Sequence, residues 1–218
     1  MKSLLFLFGL LALLPLSNLN GDDSLKSGPQ PASSDQEDEK EWSAELGSGV
    51  LFSNVRVSSL DAYTLVPIDF TASLAVDEVS LDDFWGGIFR GNTEFIFRGF
   101  GMAVTTGTES RIVGFNVGPR YNFVQKGWPV VPFIGADVGF GFADSRGKTN
   151  GTQQVGLGQD MNFYFGVVTG IRYYINEDWF VRFTVAYNHF SNAGLSEPAR
   201  QNRAIDAMGP ELSVGSRF

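Results

Sequence analysis

The stretch Met161–Ile175 reads MNFYFGVVTGIRYYI, and its residues repeat in twos. Met161, Phe163, Phe165, Val167, Ile171, Tyr173 and Ile175 hold the odd positions, while Asn162, Gly166, Gly170 and Arg172 fall between them. Alternate side chains of an extended strand share a face. The segment therefore has one oily wall and one wall of glycine, amide and charge. The same order recurs in Val113, Phe115, Val117, Pro119, Tyr121 and Phe123 against Gly114, Asn116, Gly118, Arg120 and Asn122. It returns over Val130–Phe142, where Asp137 and three glycines take the second face. A period of two at these lengths means strands.

A soluble β-sandwich also alternates, but its exposed face carries many charges. Here the second face holds glycine, asparagine and isolated charges such as Glu94, Arg98, Arg120, Asp137, Arg172 and Arg182, in a chain with 26 glycines. Such a face suits a narrow lumen filled by small residues and paired charges, with the oily face turned to lipid. Strands are expected near Ser43–Asn54, Ala62–Val76, Gly91–Thr105, Arg111–Phe123, Val130–Ala143, Asp160–Ile175, Trp179–Ser191 and Asp206–Phe218. Each exceeds the ~9 to 11 residues that cross a bilayer as a tilted strand. The fold read from the sequence is all-β, an eight-stranded antiparallel transmembrane β-barrel over residues 42–218. So few strands imply a packed interior and not a wide pore.

The four tryptophans give an independent check. Trp42, Trp85, Trp128 and Trp179 fall beside the start of the first strand or beside every second connection, places that share one rim of an up-and-down barrel. Aromatic rings favour the membrane boundary there. Two connections on that rim, Gln125–Gly127 and Asn176–Asp178, are short, and Asp77–Trp85 is longer. At the other rim, Ser145–Gln153 and Asn192–Ile205 are longer and more polar. Short turns face the periplasm and long loops the outside in bacterial barrels, so a bacterial outer-membrane location is expected. The chain ends on Phe218 after alternating residues, which resembles the C-terminal signature of such barrels; Ser216 and Pro210 are poor lipid-facing choices within it.

Two segments precede the barrel. Residues 1–21 have Lys2, the apolar run Leu4–Leu16 and then small and polar residues, the layout of a secretory signal peptide. The run is shorter than the ~20 residues of a spanning helix. Residues 22–41 are rich in Ser, Pro, Gln and acids and are expected to be a disordered acidic linker. That linker holds most of the net charge of −8, and nothing basic remains to recommend nucleic acid as a partner. With no cysteine, disulfides, thiolate metal sites and lipid attachment at cysteine are excluded. No metal and no cofactor is expected.

Val181–Asp206, VRFTVAYNHFSNAGLSEPARQNRAID, contains the only histidine. On its first strand Val181, Phe183, Val185, Tyr187, His189 and Ser191 point one way, so an oily face ends in a base and a hydroxyl. Stepping back by twos from Phe218 reaches Asp206. Strands joined by Asn192–Ile205 then place His189, Ser191 and Asp206 together on the lipid side of the external rim. A carboxylate holding an imidazole that takes a serine proton makes a nucleophile for carbonyl carbon.

The run His189-Phe190-Ser191-Asn192-Ala193-Gly194-Leu195, followed by Pro198 and by Asn202-Arg203-Ala204-Ile205-Asp206, resembles the outer-membrane lipid A 3-O-deacylases, often grouped as acyloxyacyl-hydrolase-like proteins. The resemblance implies a serine esterase that removes the 3-O-linked acyl chain of lipid A in the outer leaflet, with lipopolysaccharide as its partner. It implies His189 as base, Ser191 as nucleophile, and Asn192 with the Gly194 backbone N–H as oxyanion donors. The family acid is usually a glutamate close after the proline. Here the ungapped position is Arg203, and three extra residues bring Asp206 into place, with Glu197 in the loop and the inward-phased Glu211 ranked below it. Val185 and Tyr187 are expected to line an acyl groove. The rivals are a non-catalytic structural or adhesive barrel and an outer-membrane phospholipase or general esterase; the sequence is compatible with a homodimer and does not fix the oligomeric state.

Overall fold

The computed structural model describes residues 42–53, 62–150, 153–195 and 204–218. The expected signal peptide (1–21) and acidic linker (22–41) lie outside the described residues, as do Ser196, Glu197, Pro198, Asn202 and Arg203. In chain order the elements are β1 (Trp42–Gly49), β2 (Leu51–Phe52), β3 (Thr64–Ala75), a 3₁₀ turn (Phe84–Gly87), β4 (Gly91–Thr106) and β5 (Arg111–Phe123). They continue with β6 (Val130–Ala143), β7 (Thr149–Asn150), β8 (Gln153–Gln154), β9 (Met161–Tyr174), β10 (Trp179–Ser191) and β11 (Ile205–Arg217).

β1 and β2 form one stave, so eight staves close in the order β1/β2, β3, β4, β5, β6, β9, β10 and β11, each antiparallel to its neighbours. β7 and β8 make a small separate hairpin in the β6–β9 loop. The break between β1 and β2 has a chemical cause. Val50 N–H donates to Pro210 O at 3.1 Å, and the return bond of that pair would need an N–H that proline lacks. The ladder lapses for one residue and resumes at Leu51 without a change of register.

Burial follows the alternation strand by strand. On β9, Met161, Phe163, Phe165, Val167, Ile171 and Tyr173 are exposed on the outer wall, and Asn162, Tyr164, Val168 and Arg172 are buried within. Among the described residues, Ile68, Phe70, Phe115, Val138, Phe183, Leu212 and Val214 continue the oily wall around the barrel. Trp42, Trp85, Trp128 and Trp179 all lie at the rim where β1 begins and β11 ends, with Trp42 N–H on Phe218 O and Phe218 N–H on Trp42 O. We call this the lower rim.

The lumen is ionic in its lower part. Arg120, fully buried, reaches Glu45 at 3.1 Å, Glu94 and the Ser73 hydroxyl. Arg172 binds Glu94 at 2.9 Å and Arg182 binds Glu45 at 2.7 Å, while Arg98 bridges Asp69 and Glu211 at 3.1 and 2.9 Å. These bonds tie β1, β3, β4, β5, β9, β10 and β11 across the interior. Glycines make room for such groups: a Cβ on Gly166 would sit 2.1 Å from Asp137 Oδ1 and 2.3 Å from the Tyr164 hydroxyl.

Toward the upper rim the filling changes, which departs from a lumen of small residues and charges throughout. Phe100, Tyr164 and Phe190 pack ring against ring at 5.1 to 6.0 Å, with Leu51, Leu65, Met102, Ile112, Ile205 and Ala207 around them. An apolar plug of this kind excludes water from the end of the barrel where the long loops begin. It gives β10 and β11 a rigid inner backing.

Candidate functional site

β10 climbs to the upper rim with its odd-numbered residues outward, and β11 descends beside it. Register pairs His189 directly with Asp206 and Tyr187 with Met208. Directly opposed residues of an antiparallel pair have Cβ atoms ~4.5 to 5.5 Å apart, a span that the short aspartate side chain can close. His189 Nδ1 lies 2.8 Å from Asp206 Oδ1. The imidazole is one-third exposed and the carboxylate is buried, 1 % exposed. With Asp206 ionised, Nδ1 carries the proton and donates it, so Nε2 presents a lone pair.

Asp206 holds a second donor. The Tyr187 hydroxyl donates to the same Oδ1. One carboxylate oxygen therefore fixes both the histidine and the tyrosine one step below it on the same face. Tyr187 was expected to line an acyl groove; its ring keeps its outward position, but its polar end is turned onto the acid. Val185 lies below it, half-buried, flanked by Pro210 and Thr169. Phe165 is paired with His189 and Phe163 with Ser191, both exposed, so the polar group sits at the top of an apolar apron. Glu211 faces inward onto Arg98 and is removed from this face.

Ser191 is the last residue of β10, outward and on the same face as His189, one pleat repeat above it. The chain then turns sharply. Leu195 N–H donates to Asn192 O at 3.0 Å, with positive φ at Ala193 (53°) and Gly194 (80°), as a type I′ turn requires. Ala193 N–H donates to Ser191 Oγ at 3.2 Å, and Gly194 N–H donates to Asn192 Oδ1 at 2.9 Å. The fully buried Asn192 carboxamide donates to Leu157 O at 2.8 Å. Asn192 and the Gly194 amide thus hold the corner that aims Ser191.

Leu157 leads to a support that sequence reasoning missed. Its N–H donates to Glu109 at 2.8 Å, and Glu109 also accepts the Tyr63 and Ser145 hydroxyls, each at 2.6 Å. Burial and then the bond to Glu109 push the Tyr63 hydroxyl above its usual range, so it stays a donor. Glu109 is buried at 3 % exposure between loops from three parts of the chain. Nothing in Thr106-Gly107-Thr108-Glu109-Ser110 distinguishes this acid from a solvated turn residue.

The family model for lipid A 3-O-deacylase (PagL) matches residues 74–214. Among solved structures, the outer membrane enzyme PagL is similar to 78 % of this chain and 97 % of its own, at 16 % identity and a TM-score of 0.51. Neisserial surface protein A (NspA) is similar over 82 % of this chain and 96 % of its own, also at 16 % identity and a TM-score of 0.51. At that identity the two structures speak for the barrel alone. Among curated proteins none matches the chain by sequence.

Proposed function

The chain belongs to the lipid A 3-O-deacylase (PagL) family of the bacterial outer membrane, and from that premise we propose that it hydrolyses the ester holding the 3-O-linked acyl chain of lipid A. The observation that carries the reading is the bond from His189 Nδ1 to a buried Asp206 on the lipid-facing wall. An imidazole held this way is oriented to accept a proton at Nε2, and Ser191 is the hydroxyl next above it on that face.

Depth supports the substrate. β10 has 13 residues from Trp179 to Ser191; at ~3.3 Å a step and a tilt of ~40° it climbs about 30 Å. The apolar band of such a barrel is about 25 Å tall. With Trp179 at the lower boundary, Ser191 stands at the upper one, level with esters that join acyl chains to a glycolipid headgroup. Substrate reaches it by lateral diffusion.

The steps balance without a further reactant except water. Ser191 Oγ attacks the ester carbonyl carbon while Nε2 of His189 takes its proton, and Asp206 stabilises the imidazolium across Nδ1–H. The tetrahedral intermediate collapses, breaking the bond to the sugar 3-oxygen, which receives the proton from Nε2. Water, deprotonated by His189, then cleaves the acyl-serine, releasing the 3-hydroxy acid and restoring Ser191. Donors to the oxyanion lower the barrier most. Asn192 and Gly194 are the family-implied donors; either would first exchange its present partner, Leu157 O or Asn192 Oδ1. The acyl chain lies against the apron below, where Val185 borders it.

The test is incubation of the purified barrel with lipopolysaccharide and, separately, with phospholipid, with product lipids weighed by mass spectrometry. Loss of one 3-hydroxyacyl group from lipopolysaccharide, abolished by Ser191→Ala, is the expected result. Cleavage of phospholipid alone would make the protein a phospholipase, and cleavage of neither would leave a non-catalytic barrel.

A further inference from the structure

The connection from Val76 to Arg90 at the lower rim is the long one, and it does not hang free below the barrel. Ser80 and Gly91 exchange both backbone hydrogen bonds, and Asp77 accepts from Thr93 N–H. Arg90 binds Asp82 and the Val124 carbonyl, while the Gln125 carboxamide donates to Gly87 O at 3.1 Å. The segment is thereby fastened to the start of β4 and to the β5–β6 turn. Its last part lies against the outside of β5: the Tyr121 hydroxyl donates to Phe89 O, and the Phe89 ring meets the outward Phe123 ring at 6.5 Å between centroids.

What this fastening holds up is a cluster of apolar side chains facing away from the protein. Phe84 stacks on Trp85 at 6.1 Å, and both rings meet Phe89, at 5.8 and 6.0 Å. Trp85 remains 77 % exposed, Ile88 62 % and Phe84 52 %. Leu81 and Trp85 take positive φ, 65° and 50°, followed by Gly86 and Gly87 at 68° and 79°. Bulky residues avoid that region of backbone space. A strained turn that holds a tryptophan against two phenylalanine rings yet leaves it 77 % exposed marks a surface whose partner lies elsewhere.

We propose that the Phe84-Trp85-Ile88-Phe89 cluster is an outrigger embedded in the phospholipid leaflet on the periplasmic side of the outer membrane. Continuity identifies the occupant: through Phe89 and Phe123 the cluster is an extension of the lipid-facing wall, and it shares its rim with Trp42, Trp128 and Trp179. Flat amphipathic rings partition to that boundary. Asp77, Glu78, Asp82 and Asp83 in the same connection would be repelled by an anionic surface, so the matching lipid is zwitterionic. The outrigger leans on the β4–β5 wall, which in the closed order of staves is opposite the β10–β11 wall that carries His189 and Asp206. Anchoring one wall at the lower boundary fixes the tilt, and tilt sets the height of the opposite upper rim.

The experiment uses the whole barrel with Trp42, Trp128 and Trp179 each changed to Phe, leaving Trp85 as the sole indole, and folding checked by mobility on unheated gels. It is reconstituted into zwitterionic phospholipid vesicles whose acyl chains are brominated at graded depths. Trp85 emission is expected to shift to shorter wavelength and to be lost most with bromines near the headgroup, while aqueous acrylamide quenches it little. Emission at the wavelength of free tryptophan, quenched by acrylamide and not by bromine, overturns the proposal and leaves the cluster to a soluble or periplasmic partner. If the triple variant misfolds, the difference spectrum between the wild-type chain and Trp85→Phe gives the same two outcomes.

Discussion

Asp206→Asn isolates the electrostatic share of the candidate triad because it keeps shape and removes charge. The carboxylate is buried, and one oxygen accepts from both His189 Nδ1–H and the Tyr187 hydroxyl. Neutralising the acceptor of a buried charge-assisted bond costs ~1.5 to 3 kcal/mol, or about 10- to 150-fold in rate at ~1.36 kcal/mol per decade. A further loss would follow if the amide turned its N–H₂ toward Nδ1, since the imidazole would then protonate Nε2 and lose its base; losses of about 10⁴ are known from that tautomer. Tyr187 opposes the turn, because its hydroxyl needs the oxygen where it now is, and the same oxygen then serves His189. Asp206→Asn alone should therefore lose about 100-fold. Tyr187→Phe alone should lose only about 5-fold. The double variant, free to flip its amide, should fall by about 10³ to 10⁴, beyond the product of the singles. Initial rates of 3-hydroxy acid release from lipopolysaccharide in mixed micelles decide it. Asp206→Asn within threefold of wild type would transfer the acid's role elsewhere, to be sought with Glu197→Gln. A double variant equal to the product would deny Tyr187 any part in orientation.

Three further outcomes follow from the surroundings. Glu109→Gln removes the charge from an acceptor of three bonds and should loosen the 144–160 loop to protease while lowering turnover several-fold through Leu157 and Asn192; unchanged cleavage and rate would refute the link. Arg120→Met removes the cation that Glu45 and Glu94 share, leaving Arg182 and Arg172 as their remaining partners, and should destabilise the barrel by about 3 kcal/mol, read as a lower temperature of conversion on unheated gels, and adding Glu94→Leu should restore part of it. Pro210→Val supplies the absent N–H opposite Val50 and should raise that temperature, and an unchanged or lower one would refute the account of the break between β1 and β2.

The barrel was legible because its signal is repetitive and strictly local: period two, glycine on one face, tryptophan at one rim. Strand limits in the structure differ from those read in the sequence by a residue or two, and the largest difference, the split at Val50, traces to Pro210 on another strand. Phase carried the pairing of His189 with Asp206, since counting by twos from Phe218 fixes which side each residue faces. What the sequence could not carry was partnership across the lumen and the loops. The upper apolar plug draws Phe100, Tyr164 and Phe190 from three strands, none of which looks unusual alone. Tyr187 looked like one more lipid-facing ring because alternation reports the direction of a side chain and not the reach of its hydroxyl. Glu109 was invisible for the same reason: its three donors come from positions 36 to 48 residues away.

The shorter acid makes physical sense of the register. Glutamate can approach a histidine from a loop or from a residue displaced along the strand, because its extra methylene tolerates an offset. Aspartate cannot, and here it is the residue in direct cross-strand pairing with His189. That pairing is only as fixed as the two strands are. Behind His189 and Asp206 the even face of β10 and the odd face of β11 pack Phe190, Ala186, Ile205 and Ala207 into the water-free plug, and below it Arg182 and Ser213 bind Glu45 from the same two strands. A slip of one residue would turn every one of these groups to lipid. The interior thus locks the register on which the exterior hydrogen bond depends. Weakening the plug without touching the site, as in Phe190→Ala, should therefore reduce activity by loosening the His189 to Asp206 distance, with the loss larger for the aspartate barrel than for an Asp206→Glu variant, whose longer arm absorbs the movement.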